Sequence, residues 1–216
     1  MSDTLTTLIS KVQAILGDDG TRFTTATCTA AIRQALSEWN LRNPVFAAEL
    51  ITGIADQYEY ELSDKDSLAV QIHDILQQGA AANELDESLD FDEYNEDERL
   101  FFRLRSPVTT SDTLIVTYTK NHTINGLDSA TESTIPAAYN QAMIDGGAFF
   151  SIFIRAVSRV ETINLSQDQT DNYREIAGSF GAMFAARMAT AARTKKGKVG
   201  EPDTRAWNDQ YHNWGQ

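Results

Sequence analysis

The chain has 216 residues, 42% of them hydrophobic, and its 31 Asp and Glu against 18 Lys and Arg give a formal net charge of −13. That length and apolar content suit one packed domain with room for a subdomain, and the charge disfavours a tight phosphate-binding surface. The single cysteine, Cys28, excludes an internal disulfide, and residues 1–16 lack the charged, apolar, small-residue pattern of a signal peptide, so synthesis in a reducing cytoplasm is expected.

Near the start, Leu5, Leu8, Ile9, Val12, Ile15 and Leu16 recur at helical spacing, Asp3 or Thr4 can cap, and Gly17 can supply a left-handed stop. A helix is expected over residues 4–16. A second one, over residues 25–42, is capped by Thr24 or Thr25, buries Ala31, Ile32, Ala35, Leu36 and Trp39, and ends at Asn43 and Pro44. Cys28 falls one turn before Ile32 on the same side, as a packed thiol.

From Val45 the periodicity changes. Short runs such as VFAAELITGI, QYEYEL, RLFFRL and TLIVTYT are separated by Gly, Asp, Asn, Ser and Pro clusters, the pattern of a small antiparallel sheet over about residues 46–120. LAVQIHDIL is compatible with strand or helix. Between the strands, NELDESLDFDEYNEDER carries Glu84, Asp86, Glu87, Asp90, Asp92, Glu93, Glu96, Asp97 and Glu98 before any base, and is expected to form a solvated, mobile hairpin or loop.

The segment STIPAAYNQAM starts a third helix over about residues 136–160, with Thr134 as its cap and Pro136 in its first turn. Gly146 and Gly147 lie inside it at a propensity cost of about 1 kcal/mol each relative to Ala, which a close neighbour would offset. The apolar run AFFSIFIRAV is too short for a membrane span and contains Arg155. The fourth helix, residues 167–194, follows a Ser166 and Gln169 capping pair. It carries Tyr173, Ile176, Phe180, Met183 and Phe184 on a stripe that the charged Arg187 interrupts. Its small side, Gly178, Gly181, Ala182, Ala185 and Ala189, is expected to admit the Gly146 region closely. Residues 196–216 read as a basic, Gly-containing linker and a polar arm, in which Trp207, Tyr211 and Trp214 would share one face of an induced helix and dock on a partner.

Catalytic, metal and cofactor sites are not expected. Gly146 and Gly147 sit mid-helix without a following lysine, and His73, His122 and His212 are dispersed, with no HExxH and no cysteine pairs. Counting an EF-hand from Asp90 places Asn95 and Phe101 where Gly and a carboxylate are required. Neither a GxSxG elbow nor an SxxK pair occurs.

The layout resembles the head-tail connector adaptor proteins of tailed bacteriophages, the neck or head-completion proteins beneath the portal. The resemblance runs from about residue 5 to residue 193. It is carried by LISKVQAILGDDGTRFTTATCTAAIRQALSEWNLRNP, by VTYTKNHTINGLDSATESTIP, and by AAYNQAMIDGGAFFSIFIRAV with FGAMFAARMA. It implies a mainly α (α+β) fold, a helical bundle bearing a central antiparallel β insertion, with an adaptor domain at 1–195 and the C-terminal arm beyond. It further implies a dodecameric ring that binds the portal protein, receives a stopper or tail protein, and lets double-stranded DNA pass without tight binding, in the virion neck and away from any membrane. The acidic segment is then a candidate channel or interface loop, and Trp207, Tyr211 and Trp214 the portal-docking residues. The acidic insertion and the aromatic arm depart from the matched pattern. The alternatives are a soluble acidic protein-binding module, another neck component such as a tail-completion protein, or a hydrolase hidden in dispersed carboxylates and His122.

Overall fold

The computed structural model describes residues 2–62, 69–78, 87–96, 99–108, 113–160 and 167–198. They fall into two compact units, one from Met1–Asn43 with His122–Glu201 and one containing Pro44–Asn121.

In the first unit, α1 (Leu5–Ile15) begins where the Thr4 hydroxyl accepts the Thr7 amide, and the chain leaves it through Gly17 at φ +62°. The same device starts α2 (Thr25–Arg42), where Thr24 accepts from the Thr27 amide. Asn43 ends that helix ahead of Pro44, which would disfavour a helical conformation at the preceding residue. Cys28, Ala31, Ile32, Ala35 and Trp39 form its inward stripe, with Trp39 only 1% exposed. α3 (Asn140–Val160) lies against the other helices and α4 (Gln167–Lys198) completes the unit.

The two mid-helix glycines of α3 have different neighbours from those expected. A Cβ on Gly146 would lie 2.8 Å from the Ala35 Cβ of α2 and 3.0 Å from the Phe184 ring of α4. One on Gly147 would lie 2.9 Å from a Val12 methyl of α1 and 3.1 Å from Ile32 of α2. The close approach is thus to side chains of three helices. The small side of α4 does not receive it: Gly178, Ala182, Ala185 and Ala189 are exposed, and Gly181 faces the Phe149 ring.

Thr134 does not cap α3. A 3-10 turn, Ala137–Tyr139, precedes that helix without a side-chain cap, and the Thr134 hydroxyl instead accepts the Thr123 amide at 2.8 Å across its own loop. The expected capping role of Ser166 lies outside the described residues.

In the second unit, β1 (Val45–Thr52), β7 (Thr113–Lys120), β3 (Ala69–Gln77) and β4 (Glu87–Ser88) form one antiparallel sheet in that order. β2 (Glu59–Glu61), β6 (Arg99–Leu104) and β5 (Phe91–Glu96) form a second. The fold is therefore α+β, and the expectation of a mainly α helical bundle with one β insertion is corrected. The physical reason is that the strands enclose a core of their own. Ile72, Ile75, Leu114, Val116 and Tyr118 from one sheet and Tyr60, Leu100, Phe102 and Leu104 from the other are buried in one cluster. Alternation in TLIVTYTK puts Leu114, Val116 and Tyr118 inward, as period-two spacing requires, and the described part of LAVQIHDIL, from Ala69 on, resolves as strand β3.

Candidate interaction surfaces

The connection over residues 121–139 is stitched onto the helical hairpin at both ends. The Leu5 amide donates to the Asn125 carbonyl at 2.9 Å, the Ser133 hydroxyl to the Asp3 carbonyl at 2.8 Å and the Ser2 hydroxyl to the Ile135 carbonyl at 2.8 Å. From α2, the Asn40 side chain accepts the His122 amide at 2.8 Å, and Arg33 holds the Asp128 carboxylate through Nε and Nη2. Asp128 adopts φ +50°, a left-handed conformation Asp tolerates better than most residues. The Arg33 hydrogen bond, opposed by partial burial and aided by its charge, lowers the Asp128 carboxyl below its ordinary value. Buried His122 sits edge-on to Trp39, its Nδ1 3.3 Å from the Thr134 hydroxyl.

The loop between α1 and α2 is organised by one carboxylate. Asp18 accepts from the amides of Gly20, Arg22 and Phe23, the last at 2.6 Å, and from the Thr21 hydroxyl. Desolvation works against ionisation there, but these donors outweigh it and hold the carboxyl below its ordinary value. Arg155 of α3 lies over the Phe23 ring, 5.3 Å from its centroid, and donates to the Arg22 carbonyl. Beside them is a cleft of about 340 Å³ between Leu16, Phe23, Ile152, Tyr173 and Ile176. Cys28 is buried, and desolvation raises its thiol above the usual value despite the nearby Ser151 hydroxyl.

Five of the nine acidic positions singled out in the sequence fall on described residues; all five are exposed, as expected of a solvated hairpin or loop, and four of them lie in strands. Glu87 belongs to β4, Asp92, Glu93 and Glu96 to β5, and the Asp90 carbonyl between them accepts the Arg105 amide. Pairing of β5 with β6 explains the order: Phe91 lies opposite Leu104, and Tyr94 stacks on Phe101 with ring centroids 5.5 Å apart. On the outward side, bases in and just after β6 meet acids of both neighbouring strands, Arg105 pairing with Asp92 of β5 and Arg99 with Glu61 of β2, both at 3.1 Å. Glu93 reaches the other sheet, where its Oε2 accepts the Ile72 amide at 2.8 Å beside a break in the β3–β7 register. Glu84, Asp86, Asp97 and Glu98 lie outside the described residues, as do Trp207, Tyr211 and Trp214.

Charge is distributed unevenly along the chain. Residues 44–121 hold seventeen acidic and five basic residues, so they carry −12 of the total −13. The remainder is nearly balanced.

Two exposed residues escaped the sequence reading. On β1, Phe46 and Leu50 are 61% and 69% exposed, on the face opposite the half-buried Val45, Ala47 and Ile51. Register places Leu50 beside Ile115 of β7 and Ile115 beside Leu76 of β3, an apolar row across three strands. Phe46 contacts the His73 ring at a centroid distance of 5.5 Å. The available signal was VFAAELIT itself, which is apolar at both odd and even positions, whereas a strand with one solvated face alternates.

Among the described residues, no group of three or more His, Cys, Asp or Glu is placed to hold a metal ion, and no helix is long and apolar enough to cross a membrane.

No protein-family model matches the chain, and no curated protein matches it. Among solved structures, the chain is similar to one described as "Neck of empty GTA particle computed with C6 symmetry", at 12% sequence identity and a TM-score of 0.32, over 73% of this chain and 79% of that one.

Proposed function

We propose that this protein is a structural component of a tailed-phage neck, an adaptor that attaches to the portal ring and offers a platform to a stopper or tail protein. The observation that carries the reading is where the resembling segments lie. The opening hairpin, the HTINGL to STIP connection and the AAYNQAM and FGAMFAARMA helices, far apart in sequence, build the helical unit and share one core, while the VTYTK that leads into them ends β7 of the other unit. No reaction is assigned to the chain. In this reading copies form a ring, the arm with Trp207, Tyr211 and Trp214 docks on portal, and carboxylates of residues 44–121 repel the phosphates of passing DNA.

The concentration of acid in residues 44–121 also favours a second reading, a module that binds a basic protein partner. Purified particles distinguish the two. A neck component is recovered in stoichiometric amount with portal by mass spectrometry and is seen at the neck by negative-stain imaging. A chain missing from the particles, yet bound to a basic protein in the host extract, establishes the second reading and removes the first.

A further inference from the structure

We infer that the outer edge of β1 is a docking site for an extended, basic peptide segment that adds as a further strand to the four-stranded sheet and lays apolar side chains beside Phe46 and Leu50. Among the described residues, β1 stands at the end of the strand order, and its pairing with β7 runs without interruption from Val45 opposite Lys120 to Thr52 opposite Thr113. An antiparallel ladder uses the backbone groups of alternate residues, so those between them point toward the open side. Proteins guard such an edge with Lys, Pro, a bulge or a very short strand. β1 has eight residues, no Lys, no Pro and an unbroken register, and its single charged residue, Glu49, is an acid. An apolar row continues onto the sheet from that edge, from exposed Leu50 to the half-buried Ile115 and Leu76.

Charge selects the occupant. A second copy would bring two units of −12 edge to edge, whereas a cationic strand gains from the same field. Main-chain pairing supplies affinity in strand addition, and alternate side chains supply specificity. The inference stands apart from the neck reading, because it concerns the folded chain alone and its failure leaves particle composition untouched.

The test uses the full chain and a fluorescent peptide of about ten residues alternating Val and Lys, long enough to span β1. Anisotropy gives affinity, and amide exchange maps the site. The expected result is protection of β1 amides and a loss of about tenfold or more in affinity when alternate peptide amides are N-methylated, or in Phe46→Ser with Leu50→Ser, since each buried large apolar side chain is worth that order. A Val and Glu peptide is expected not to bind. Equal binding by the methylated peptide shows attraction by charge alone and overturns the inference, as does protection elsewhere with β1 unchanged. Protection of β1 that grows with protein concentration in the absence of peptide identifies a second copy and also overturns it. The methylated peptide is compared on the unaltered chain, so the outcome does not depend on the double variant folding.

Discussion

Arg187 of α4 places its Nε 2.7 Å from Oδ2 of Asp145 in α3, and the carboxylate so held is 2% exposed. Gln141 donates to the other oxygen at 2.9 Å. The charge that interrupts the apolar stripe of α4 is therefore the partner of Asp145, a buried aspartate of the helical unit. Removing only one member leaves an ion without its counterpart, which is worse than removing both. Arg187→Ala is expected to lower unfolding free energy by about 1–3 kcal/mol, and Arg187→Met combined with Asp145→Leu to recover part of the loss. Urea denaturation of Arg187→Met, Asp145→Leu and their combination, alongside Arg187→Ala, checks this; additive losses in the double variant refute the coupling.

Two glycines should respond in opposite directions to the same change. At Gly146 an added methyl meets Ala35 and Phe184 inside ordinary contact distance, so Gly146→Ala is expected to destabilise by about 1–3 kcal/mol despite the better helix propensity of Ala. Gly178 has nothing within 4 Å of the added atom and is exposed. There, Gly178→Ala should stabilise by about 0.5–1 kcal/mol. Melting temperatures moving the same way in both variants would count against the helix packing described above.

Glu93 ties β5 to the interrupted stretch of β3. Glu93→Ala takes away the acceptor of the Ile72 amide and is expected to cost about 1 kcal/mol, with faster hydrogen exchange at Ile72. Asp90→Ala and Glu96→Ala, for which no hydrogen bond of the side chain ties the two sheets, serve as controls that should leave that exchange unchanged. Loss of protection in all three variants alike would show that net charge, rather than the Glu93 contact, governs the sheet.

Acid should weaken the helical unit through Asp18 and Asp128. Both carboxyls are held below the ordinary value of 3.8, so in the window beneath it the unfolded chain binds protons that the folded chain does not. Their contribution is complete above the unfolded value and disappears as pH falls through the lower folded values. Thermal unfolding followed from pH 5 downward should show decreasing stability, with a shallower slope in Asp128→Asn. An unchanged slope in that variant would exclude Asp128 as a source of the acid sensitivity.

For the neck reading, Trp207→Ala together with Trp214→Ala is expected to weaken co-sedimentation with portal while leaving circular dichroism unchanged. Undiminished attachment would remove the arm from the proposal.

The helical hairpin was legible residue by residue, because Thr4, Thr24, Gly17 and Pro44 act on their own turns and 3.6-residue spacing fixes which face of an isolated helix is apolar. Other features were set by pairing across long separations. The acidic run has the composition of a solvated hairpin or loop because its charges are adjacent along the chain, and only β6, which sets Phe101 and Leu104 opposite Tyr94 and Phe91, makes residues 91–96 a paired strand. Thr134 has the composition of a cap and works as a loop cross-tie, because the Thr123 amide is nearer than any helix terminus.

Local steric and capping rules, composition and apolar period determined by themselves where the first two helices begin and end, that the middle forms strands, and that the chain is acidic. Only the tertiary structure decided that the strands build two sheets around a core of their own, that Gly146 and Gly147 admit three helices, that Asp145 belongs to Arg187, and that Phe46 and Leu50 face outward. The physical reason is range. Helix caps and periodicity are settled within a few residues, whereas sheet register, burial of a charge and exposure of an apolar face depend on what distant segments bring alongside.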